Sequence, residues 1–487
     1  MICVTGAERT RTELEGRLQR CSSADLQEIR LDLLDSPGAQ IAALAASRHE
    51  ISRLIVTCRP RRQGGGYSGD ESERIDLLIA AIQAGVGFVD LEADVERADA
   101  SRVLHEASKG ITRVIRSHHR FTPGLDPRRA IEDLRGLGGH VLKLACQVDD
   151  AADLAPFLEI GRDRDRPVVL IGMGPAGILS RVCALRFGSA WTYVAADENS
   201  ATAPGQLTWD QCRRWGLLQT WDPAPIVLLG GPQVLDSPGP DVYNSLFGSM
   251  AAPFVYLPVV TDRPDATLDL LRKLGLAGAS VTMPLKQRVA QHLDGTDEAG
   301  RSIGAVNTIW RHEGGKLLGT NTDHVGVVRP IAAVHPLEGA SVLVLGAGGT
   351  ARAAVWGLAR SAARVSVHNR TREHADRMVR DLGGAAVVAD RIAAGSFEVL
   401  VNATSVGSLS PESPVPDPEA LRGTTVLDCV MRPRRTRLIE QATSVGATTI
   451  DGIEMWLHQG AAQASLWLGR DIEVEALRSL LPTALGL

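Results

Sequence analysis

The chain has few lysines among its basic residues. Of its 52 basic side chains, only five are lysine, at positions 109, 143, 273, 286 and 316, and the other 47 are arginine. Arginine stays protonated at any working pH, whereas a lysine can give up its proton and act as an amine. The five lysines are therefore the first candidates for chemistry that needs an amine.

Paired cysteines and long apolar runs are also missing. The seven cysteines (3, 21, 58, 146, 183, 212 and 429) are odd in number and form no C-x-x-C pair, so neither a disulfide framework nor a zinc site is expected. No apolar run approaches about 18 residues, and the first residues lack the basic and apolar regions of a signal peptide. We therefore expect a cytoplasmic protein with no membrane span.

Charge and length are typical of a soluble metabolic protein. The net charge is -5, and arginines are scattered among acidic residues rather than gathered in blocks, which excludes an evident nucleic-acid surface. A length of 487 residues predicts two to four domains, and 44% hydrophobic residues are enough to build a core in each.

Short apolar runs alternate with helical stretches over the first 215 residues. The eight runs are residues 2–5, 28–34, 54–58, 88–91, 114–117, 141–145, 168–171 and 191–195. Alternating strand and helix signals imply parallel βαβ units, and eight of them predict a closed (β/α)8 barrel. Chemistry in such barrels lies at the C-terminal ends of the strands, where Asp32, Arg59, His119 and Met173 fall.

A linker and a glycine-rich turn organise the rest of the chain. Two prolines in residues 216–225 indicate a connector, so a second domain is expected to begin near Ile226. Residues 341–345 form an apolar strand signal followed by Gly346-Ala347-Gly348-Gly349-Thr350-Ala351, a G-x-G-x-x-A turn suited to a pyrophosphate. The next predicted strand ends in Asn369-Arg370-Thr371, and a cation there favours the 2′-phosphate of NADP.

Two lysines lie in apolar settings. Lys143 alternates with Leu142 and Leu144, so it is expected to face the barrel interior, where burial would favour a neutral, nucleophilic amine. A lysine that extends to solvent from a strand end is an equally good interpretation of the local sequence. The preceding strand ends in His118-His119, either of which could transfer protons beside Lys143.

Lys286 is the second candidate. Asn307 and Asp323 follow it along the chain, and a Lys/Asp pair beside a nicotinamide could move the proton that accompanies hydride transfer. Taken alone, an ordinary surface salt bridge explains this pair better. Arg181 could clamp a carboxylate, although a surface position is the default for any one of 47 arginines.

The first half resembles type I 3-dehydroquinate dehydratase over about residues 1–215. The motifs that carry the resemblance are Glu28-Ile29-Arg30-Leu31-Asp32, Thr57-Cys58-Arg59, Ser117-His118-His119-Arg120-Phe121, Lys143, Gly172-Met173, Ser180-Arg181 and Ala203-Pro204-Gly205-Gln206. The resemblance implies that Lys143 forms a Schiff base and that His119 is the general acid/base. The substrate pocket that it implies is lined by Glu28, Arg30, Arg59, Met173, Arg181, Thr202 and Gln206.

The second half is similar to shikimate dehydrogenase from about residue 226 onward. The shared motifs are Val281-Thr282-Met283-Pro284-Leu285-Lys286, Gly304-Ala305-Val306-Asn307-Thr308, Asn321-Thr322-Asp323, the glycine turn, Asn369-Arg370-Thr371, Asn402-Ala403-Thr404-Ser405-Val406-Gly407 and Gln459-Gly460-Ala461. The similarity implies that Lys286 and Asp323 are catalytic. It further implies substrate contacts from Ser237, Thr282, Asn307 and Gln459, and NADP contacts from Gly346, Gly348, Gly349, Asn369, Arg370, Thr371, Thr404 and Gly452.

Several positions depart from the two family patterns. In the first half, Gln63 replaces a glutamate that usually forms a hydrogen bond with the histidine, Arg120 replaces an aspartate, and Thr202 replaces a serine. In the second half, Gly239 replaces the second serine of Ser-x-Ser-Pro, and Met431 replaces a tyrosine. His374 stands at a position that is usually basic, and the nearby Arg372 can compensate for it. Gln63 removes an anionic partner of His119, and Gly239 is expected to weaken the grip on a substrate carboxylate.

Together the two halves resemble the plant-type bifunctional enzymes of the shikimate pathway, which make chorismate precursors. The resemblance implies a dehydratase barrel (1–215), a linker (216–225), a substrate-binding domain (226–330 plus 453–487) and a Rossmann NADP-binding domain (331–452). It implies dehydration of 3-dehydroquinate and NADPH-dependent reduction of 3-dehydroshikimate, with no metal, nucleic acid or membrane. Two alternatives stay open, namely an NAD-dependent quinate/shikimate dehydrogenase half or a quinate-responsive regulator with one weakened site; the oligomeric state is open as well.

Overall fold

A computed structural model describes residues 1–45, 50–163, 165–201, 205–215, 217, 222–408 and 410–481. The chain forms two compact units. The first comprises Met1–Pro225, Pro232–Ser237 and Phe247–Leu276, and the second comprises Ile226–Gly231, Pro238–Leu246 and Ala277–Leu487. The predicted domain boundaries and linker are a functional division of the sequence and stay a prediction.

Strands and helices alternate through the first 215 residues. The strands are β1 (Ile2–Thr5), β2 (Leu26–Arg30), β3 (Leu54–Thr57), β4 (Phe88–Glu92), β5 (Arg113–Arg120), β6 (Val141–Gln147), β7 (Val168–Met173) and β8 (Thr192–Ala195). The helices are α1 (Arg11–Arg20), α2 (Pro37–Ala45), α3 (Glu71–Gln83), α4 (Arg97–Ala107), α5 (Pro127–Gly136), α6 (Ala155–Arg162), α7 (Ile178–Val182) and α8 (Trp209–Arg214). One predicted strand, 28–34, is displaced, because Leu31–Leu33 forms a 3-10 turn.

The eight strands form one sheet in the order β7-β6-β5-β4-β3-β2-β1-β8, and its paired strands are parallel. A single bridge between Val168 and Ser189, with Ala190 N donating to Val168 O at 2.8 Å, links β7 to the chain just before β8. The sheet therefore closes on itself, and the predicted (β/α)8 barrel is confirmed.

Alternation along the strands separates two apolar layers. One layer fills the interior and includes Ile55, Ile115 and Tyr193, whereas the other packs the outer face of the strands against the helices and includes Val56 and Val114. Ile55 and Val56 are neighbours on one strand, as expected when successive side chains point to opposite faces. The polar side chains that share the interior parity are therefore directed into the barrel.

Local sequence sets several of the helix starts. Thr10 caps α1 in a capping box with Glu13, and Thr208 caps α8 in the same way with Gln211. In each box the hydroxyl accepts a free backbone N–H of the first turn, while the residue at the third helical position binds the cap backbone in return. These caps fix where α1 and α8 begin after β1 and β8.

The remaining elements run from residue 224 to residue 478. The strands are β9 (Ala224–Gly230), β10 (Phe254–Val260), β11 (Gly278–Val281), β12 (Gly295–Thr296), β13 (Thr308–Arg311), β14 (Leu317–Thr320), β15 (Ser341–Leu345), β16 (Arg364–His368), β17 (Val387–Val388), β18 (Val399–Asn402), β19 (Thr425–Asp428) and β20 (Thr448–Ile450). The helices are α9 (Gly239–Ser249), α10 (Pro264–Lys273), α11 (Glu298–Ile303), α12 (Asp323–Ala332), α13 (Gly349–Arg360), α14 (Arg372–Asp381), α15 (Arg437–Ser444), α16 (Gly452–Leu468) and α17 (Val474–Arg478).

The second unit contains two sheets. One is mixed and has the order β9-β11-β13-β14-β12, with β13 antiparallel to both of its neighbours. The other has the order β17-β16-β15-β18-β19-β20 and is parallel throughout. The chain order reverses beside β15, where the glycine turn begins, and this is the switch point at which parallel sheets bind dinucleotides. The predicted Rossmann fold is confirmed.

Within the part of the chain that the structure describes, no helix is both long and apolar enough to cross a membrane. The same residues contain no group of three or more His, Cys, Asp and Glu side chains arranged to hold a metal ion.

Candidate active sites

Lys143 lies inside the barrel. It is 3% exposed, and its Nζ is 2.8 Å from Asp90 Oδ2 and 4.0 Å from Glu28 Oε1. The ammonium also lies over the ring of Tyr193, 4.3 Å from the centroid. The interior position that alternation predicted is confirmed, and the alternative of a lysine extended to solvent is wrong.

Glu28 and Arg30 surround the lysine from β2. Glu28 accepts hydrogen bonds from the hydroxyls of Thr5 at 2.6 Å and Thr57 at 2.7 Å. Burial alone would raise the pKa of Glu28, but Lys143, Arg30 and Arg59 outweigh it, and the pKa is lowered. Arg30 itself makes a two-point ion pair with Asp32 at 2.9 and 2.6 Å. This pairing accompanies the turn after β2, since Asp32 folds back onto the arginine two residues earlier.

The two adjacent histidines occupy opposite faces of β5. His119 is buried and shares the interior parity of Ser117, whereas His118 is half-buried on the outer face. The Nδ1 of His119 has no hydrogen-bond partner among the described residues. Burial, followed by the charges of Arg59 and Lys143, holds the pKa of His119 well below its ordinary value. The imidazole is therefore neutral and free to accept a proton.

Gln63, the departure beside the histidine, contacts the backbone of His119. Its Oε1 accepts from His119 N at 3.3 Å, and its Nε2 donates to Asp94 Oδ2 at 3.0 Å. The amide therefore ties the loop after β3 to β5 and offers the imidazole no negative charge.

Arg181 has two donors that no described residue uses. Its side chain is 3% exposed on α7, and Nε and Nη2 have no hydrogen-bond partner within the described residues. Burial lowers the pKa of Arg181 to about 10. Buried donors normally have partners, so these two indicate a ligand that supplies acceptor oxygens. The prediction of a default surface arginine is wrong for this residue.

The other predicted pocket residues fall in the same unit. Met173 ends β7 within the interior apolar layer, and Arg59 follows β3 and donates through Nη2 to Asp90 Oδ2 at 3.0 Å. Gln206 is half-buried. Thr202 lies outside the described residues.

Sequence reasoning missed two acidic residues of this site, Asp90 and Glu92 on β4. Both are fully buried, and Asp90 accepts hydrogen bonds from Lys143, Arg59 and Ser117. Burial opposes ionisation of Asp90, yet Lys143 and Arg59 hold its pKa below the ordinary value. The signal was present in Val89-Asp90-Leu91-Glu92, where acids alternate with apolar residues at the end of a strand.

The second unit brings Lys286, Asp323 and Asn307 together. Lys286 Nζ is 2.5 Å from Asp323 Oδ2, and Asn307 Nδ2 donates to Asp323 Oδ1 at 2.6 Å. Asp323 is buried at the start of α12, and Lys286 is half-buried. The carboxylate thus holds an ammonium on one oxygen and an amide on the other. A surface salt bridge, the simpler interpretation of the sequence, is wrong.

Neighbouring hydroxyls fix which way the Asn307 amide points. Asn307 Oδ1 accepts from Thr308 Oγ1 and from Thr322 N, both at 2.7 Å. The amide nitrogen is therefore the end that faces Asp323. Gln459 lies near it, with Oε1 3.5 Å from Asn307 Nδ2 and with Nε2 donating to Trp456 O at 2.9 Å.

One turn after Gln459, Gln463 supports this arrangement and was missed by sequence reasoning. Its Nε2 donates to Thr308 Oγ1 at 3.0 Å and to Asn307 O at 3.2 Å, and its Oε1 accepts from Ser280 Oγ at 2.8 Å. Its spacing of four residues from Gln459 on a helix is the sequence signal that places both on one face.

The glycine turn lies beside Lys286. A Cβ added at Gly349 would come within 3.7 Å of Lys286 Cδ, and a Cβ at Gly346, whose φ is 110°, would come within 3.0 Å of Ala403 O. Gly348 precedes α13 and caps it with no side chain, so the first N–H groups of that helix are available to an anion. The positive φ and the close backbone approach both require glycine at position 346.

The residues after β16 differ in what they bind. Arg372 is paired with Asp376 at 3.6 Å and also with Asp390. Arg370, by contrast, is exposed and has no ionic partner among the residues that the structure describes. Asn369 Nδ2 donates to the Thr371 carbonyl at 2.7 Å and so shapes the turn. Arg370 is therefore the cation at this edge of the sheet that is free to bind a phosphate.

The remaining predicted positions are distributed as follows. Thr404 is held by Asn402 Oδ1, which accepts from its N at 3.1 Å and from its Oγ1 at 2.7 Å. Thr282 is half-buried after β11, and Gly452 begins α16 so close to Val430 O that a Cβ would lie 2.4 Å away. Ser237 is half-buried and belongs to the first unit.

Three protein-family models match the chain. A model of type I 3-dehydroquinase matches residues 2–215, a model of the shikimate dehydrogenase substrate-binding domain matches residues 229–309, and a model of shikimate/quinate 5-dehydrogenase matches residues 331–409.

Individual relatives cover either the whole chain or its second half. The chloroplastic bifunctional 3-dehydroquinate dehydratase/shikimate dehydrogenase of Arabidopsis thaliana is 32% identical in an alignment of 477 positions that covers 92% of this chain and 78% of the relative. The NADP(+) shikimate dehydrogenase of Pyrococcus abyssi is 38% identical over 53% of this chain and 97% of its own. A solved shikimate dehydrogenase in complex with NADP+ superposes with a TM-score of 0.50 and 28% identity, over 54% of this chain and 96% of that structure.

Proposed function

The chain belongs to the family of bifunctional 3-dehydroquinate dehydratase/shikimate dehydrogenases, and we propose that it catalyses both reactions. The first half dehydrates 3-dehydroquinate to 3-dehydroshikimate, and the second reduces that product to shikimate with NADPH. The observation that carries the proposal is the presence of two Lys–Asp contacts, Lys143–Asp90 in the barrel and Lys286–Asp323 in the second unit.

The proposed domains follow the sequence motifs. Residues 1–215 form the dehydratase, 216–225 the linker, 226–330 with 453–487 the substrate-binding domain of the dehydrogenase, and 331–452 its NADP-binding domain. The chain is proposed to act in the cytoplasm on small molecules alone, without nucleic acid, membrane or metal, and its oligomeric state is left open.

In the barrel, Lys143 is the nucleophile. Its ammonium, paired with Asp90, first gives a proton to His119, and the neutral amine then adds to the substrate ketone. His119 returns the proton to the hydroxyl group of this adduct, which leaves as water and leaves a protonated Schiff base. The imine draws electrons from the adjacent carbon, so a proton there becomes acidic. His119, neutral because of its lowered pKa, takes that proton and then gives it to the hydroxyl group at the next carbon, which leaves as water. Hydrolysis of the new imine releases the product and restores Lys143.

The cationic and polar residues around Lys143 bind the substrate. Arg181 clamps the carboxylate through Nε and Nη2, the two donors with no hydrogen-bond partner among the described residues. Two neighbouring donors of one guanidinium suit a planar anion. Met173 packs against the substrate ring. Hydroxyl groups of the substrate are bound by Glu28, Arg30, Arg59, Thr202 and Gln206.

In the second half, Lys286 and Asp323 handle the proton. The substrate carbonyl becomes a hydroxyl, so the group that faces its oxygen must donate a proton as the carbonyl is reduced. Lys286 is that donor, and the Asp323 carboxylate holds its ammonium at 2.5 Å; a proton from solvent then restores the ammonium. Asn307, Gln459 and Thr282 position the substrate, and the contact that the family resemblance implied for Ser237 stays a prediction.

The residues of the glycine turn fit NADP. The features that a pyrophosphate and a 2′-phosphate need are a helix start at Gly348 without a side-chain cap, a turn at Gly346 that a Cβ would fill, and an exposed Arg370 with no ionic partner among the described residues. Gly346, Gly348, Gly349, Asn369, Arg370, Thr371, Thr404 and Gly452 would hold the cofactor, which supplies the hydride when bound. A free Arg370 favours NADP over NAD, and intact catalytic pairs in both halves disfavour a regulator.

Both activities can be tested on one purified protein. Dehydration is followed by formation of the conjugated product, and reduction is followed by NADPH consumption. Borohydride added with 3-dehydroquinate should reduce the Schiff base and leave a mass adduct on Lys143. Lys143→Ala should lose the adduct and the dehydratase activity while keeping the reductase, and Lys286→Ala should show the reverse. Absence of adduct and of dehydration in the unaltered protein would contradict the assignment of the barrel.

A further inference from the structure

Arg59 Nε and Glu92 Oε1 are two buried polar atoms that face each other in the barrel. Neither has a hydrogen-bond partner among the described residues. They lie 3.7 Å apart. On its other side, the Arg59 guanidinium donates from Nη2 to Asp90 Oδ2 at 3.0 Å. The guanidinium therefore lies between the two carboxylates of β4. It forms a hydrogen bond with Asp90, whereas its 3.7 Å approach to Glu92 is an ion pair without a hydrogen bond.

Arg74 anchors the second oxygen of Glu92. From α3, its Nη1 donates to Glu92 Oε2 and to the carbonyl of Cys58, both at 2.8 Å. Cys58 immediately precedes Arg59, so one arginine fixes both the carboxylate and the backbone on which Arg59 stands. Glu71 also binds Arg74, with distances of 2.7 and 3.2 Å, but it lies at the surface edge of α3, and within the described part of the chain it makes no hydrogen bond or ion pair with Arg59.

The charges around Glu92 bring its pKa close to neutral pH. Burial and the negative charge of Asp90 raise the pKa of Glu92 to about 7, against the opposing charges of Arg74 and Arg59. Arg116 on β5 is a further cation whose charge interacts with Glu92. The pKa of Asp90 is lowered, so Glu92 is the acid of this pair that takes up a proton first.

We propose that Glu92 is a positioning residue of the dehydratase site: its carboxylate, anchored by Arg74, holds Arg59 in the orientation in which the guanidinium meets an entering substrate. The inference rests on the proposed dehydratase function of the barrel. Glu92 acts through Arg59 and does not touch the reacting atoms. With Glu92 neutral, only Asp90 attracts the guanidinium, and Arg59 turns toward the Lys143 pair.

This role affects substrate binding more than the chemical steps. Lys143 and His119 make no hydrogen bond with Glu92, whereas Arg59 is one of the residues assigned to the substrate. A lost charge-assisted contact of this kind corresponds to a roughly tenfold change in affinity. Glu92→Gln should therefore raise the KM for 3-dehydroquinate about tenfold and leave kcat nearly unchanged.

Glu71→Gln is the matched control. Both glutamates bind Arg74, but only Glu92 faces Arg59, so the control should leave KM unchanged. Equal effects in the two variants would mean that Glu92 acts only by holding Arg74 and would overturn the proposal, as would an unaltered KM in Glu92→Gln. The dehydrogenase activity of the same chain and its thermal melting report whether each variant is folded.

The unaltered protein supplies a second test that needs no variant. Because ionised Glu92 is the form that attracts Arg59, KM should be lowest above pH 7 and should rise as the pH falls below it. Glu92→Gln should show a high KM with no such dependence. A KM in the unaltered protein that does not change across this range would overturn the proposal. Borohydride trapping on Lys143 separates this outcome from failure of the dehydratase assignment itself.

Discussion

Asp90 Oδ2 accepts hydrogen bonds from both Lys143 Nζ, at 2.8 Å, and Arg59 Nη2, at 3.0 Å. One fully buried oxygen thus compensates two cations that the proposed chemistry uses for different purposes, nucleophilic attack and substrate binding. A second contact, from Ser117, occupies the other oxygen. The carboxylate determines where both cationic groups stand before the substrate arrives.

Asp90→Asn should therefore abolish dehydration and destabilise the barrel. The change leaves two buried cations with less compensation, and breaking a buried pair costs on the order of 3 kcal/mol. Denaturant unfolding measures the stability, and product formation measures the rate. Reductase activity of the same protein should persist. Asp76→Asn is the control, since Asp76 pairs with Arg102 at the exposed surface and its loss should alter neither quantity. An active Asp90→Asn protein would contradict this role.

The neutral state of His119 predicts a particular pH dependence. A base whose pKa lies well below 6.5 stays unprotonated as the pH falls, so dehydratase kcat should stay constant to a pH well below 6.5. Gln63→Glu should put a carboxylate beside this strand, favour the protonated imidazole and move the acid limb of the kcat profile to higher pH. Gln83→Glu, at an exposed position on α3, should leave the profile unchanged. An unshifted limb in Gln63→Glu would mean that this side chain does not influence the imidazole.

The barrel and the dinucleotide-binding sheet could be predicted because their strands are apolar runs bounded by helical signals. The main shift concerns β2, predicted at 28–34 and observed at Leu26–Arg30. The strand ends early because Asp32 turns back to pair with Arg30, and a hydropathy pattern cannot predict such an ion pair. The family resemblance, which depended on the order of motifs, is confirmed by the relative that covers 92% of the chain.

The candidate sites were predicted less completely than the fold. Lys143, His119, Lys286 and Asp323 stand in motifs, so the sequence predicts them, and their catalytic roles stay a prediction. Asp90 and Glu92 were not found, because their importance depends on Arg59 and Arg74, which lie 31 and 18 residues before them and meet them only when the strands and helices pack. The choice between His118 and His119 followed from the resemblance, whereas the structure gives its physical reason in strand parity.

In the second unit, loss of either member of the Lys286–Asp323 pair should stop reduction. Lys286→Met removes the proton donor, and Asp323→Asn removes the charge that holds it, so kcat should fall by about 10²–10⁴. NADPH consumption with 3-dehydroshikimate measures the effect, and dehydration by the barrel serves as an internal reference. Lys316→Met changes an exposed lysine of the same unit and should retain full activity. Reduction at the normal rate in Lys286→Met would assign the proton donor to another group.

Arg370 and Arg372 are two residues apart, and only their partners distinguish them. Arg372 is occupied by Asp376 and Asp390, whereas Arg370 is exposed and unpaired within the described residues. Arg370→Ala should raise the KM for NADPH about tenfold or more, because a charge-assisted contact with the 2′-phosphate is lost, and should leave the KM for NADH unchanged. Arg372→Ala is the matched control and should alter the NADPH preference little. If Arg372→Ala lowers the preference more than Arg370→Ala does, then Arg372 exchanges its aspartates for the phosphate and the assignment of Arg370 is wrong.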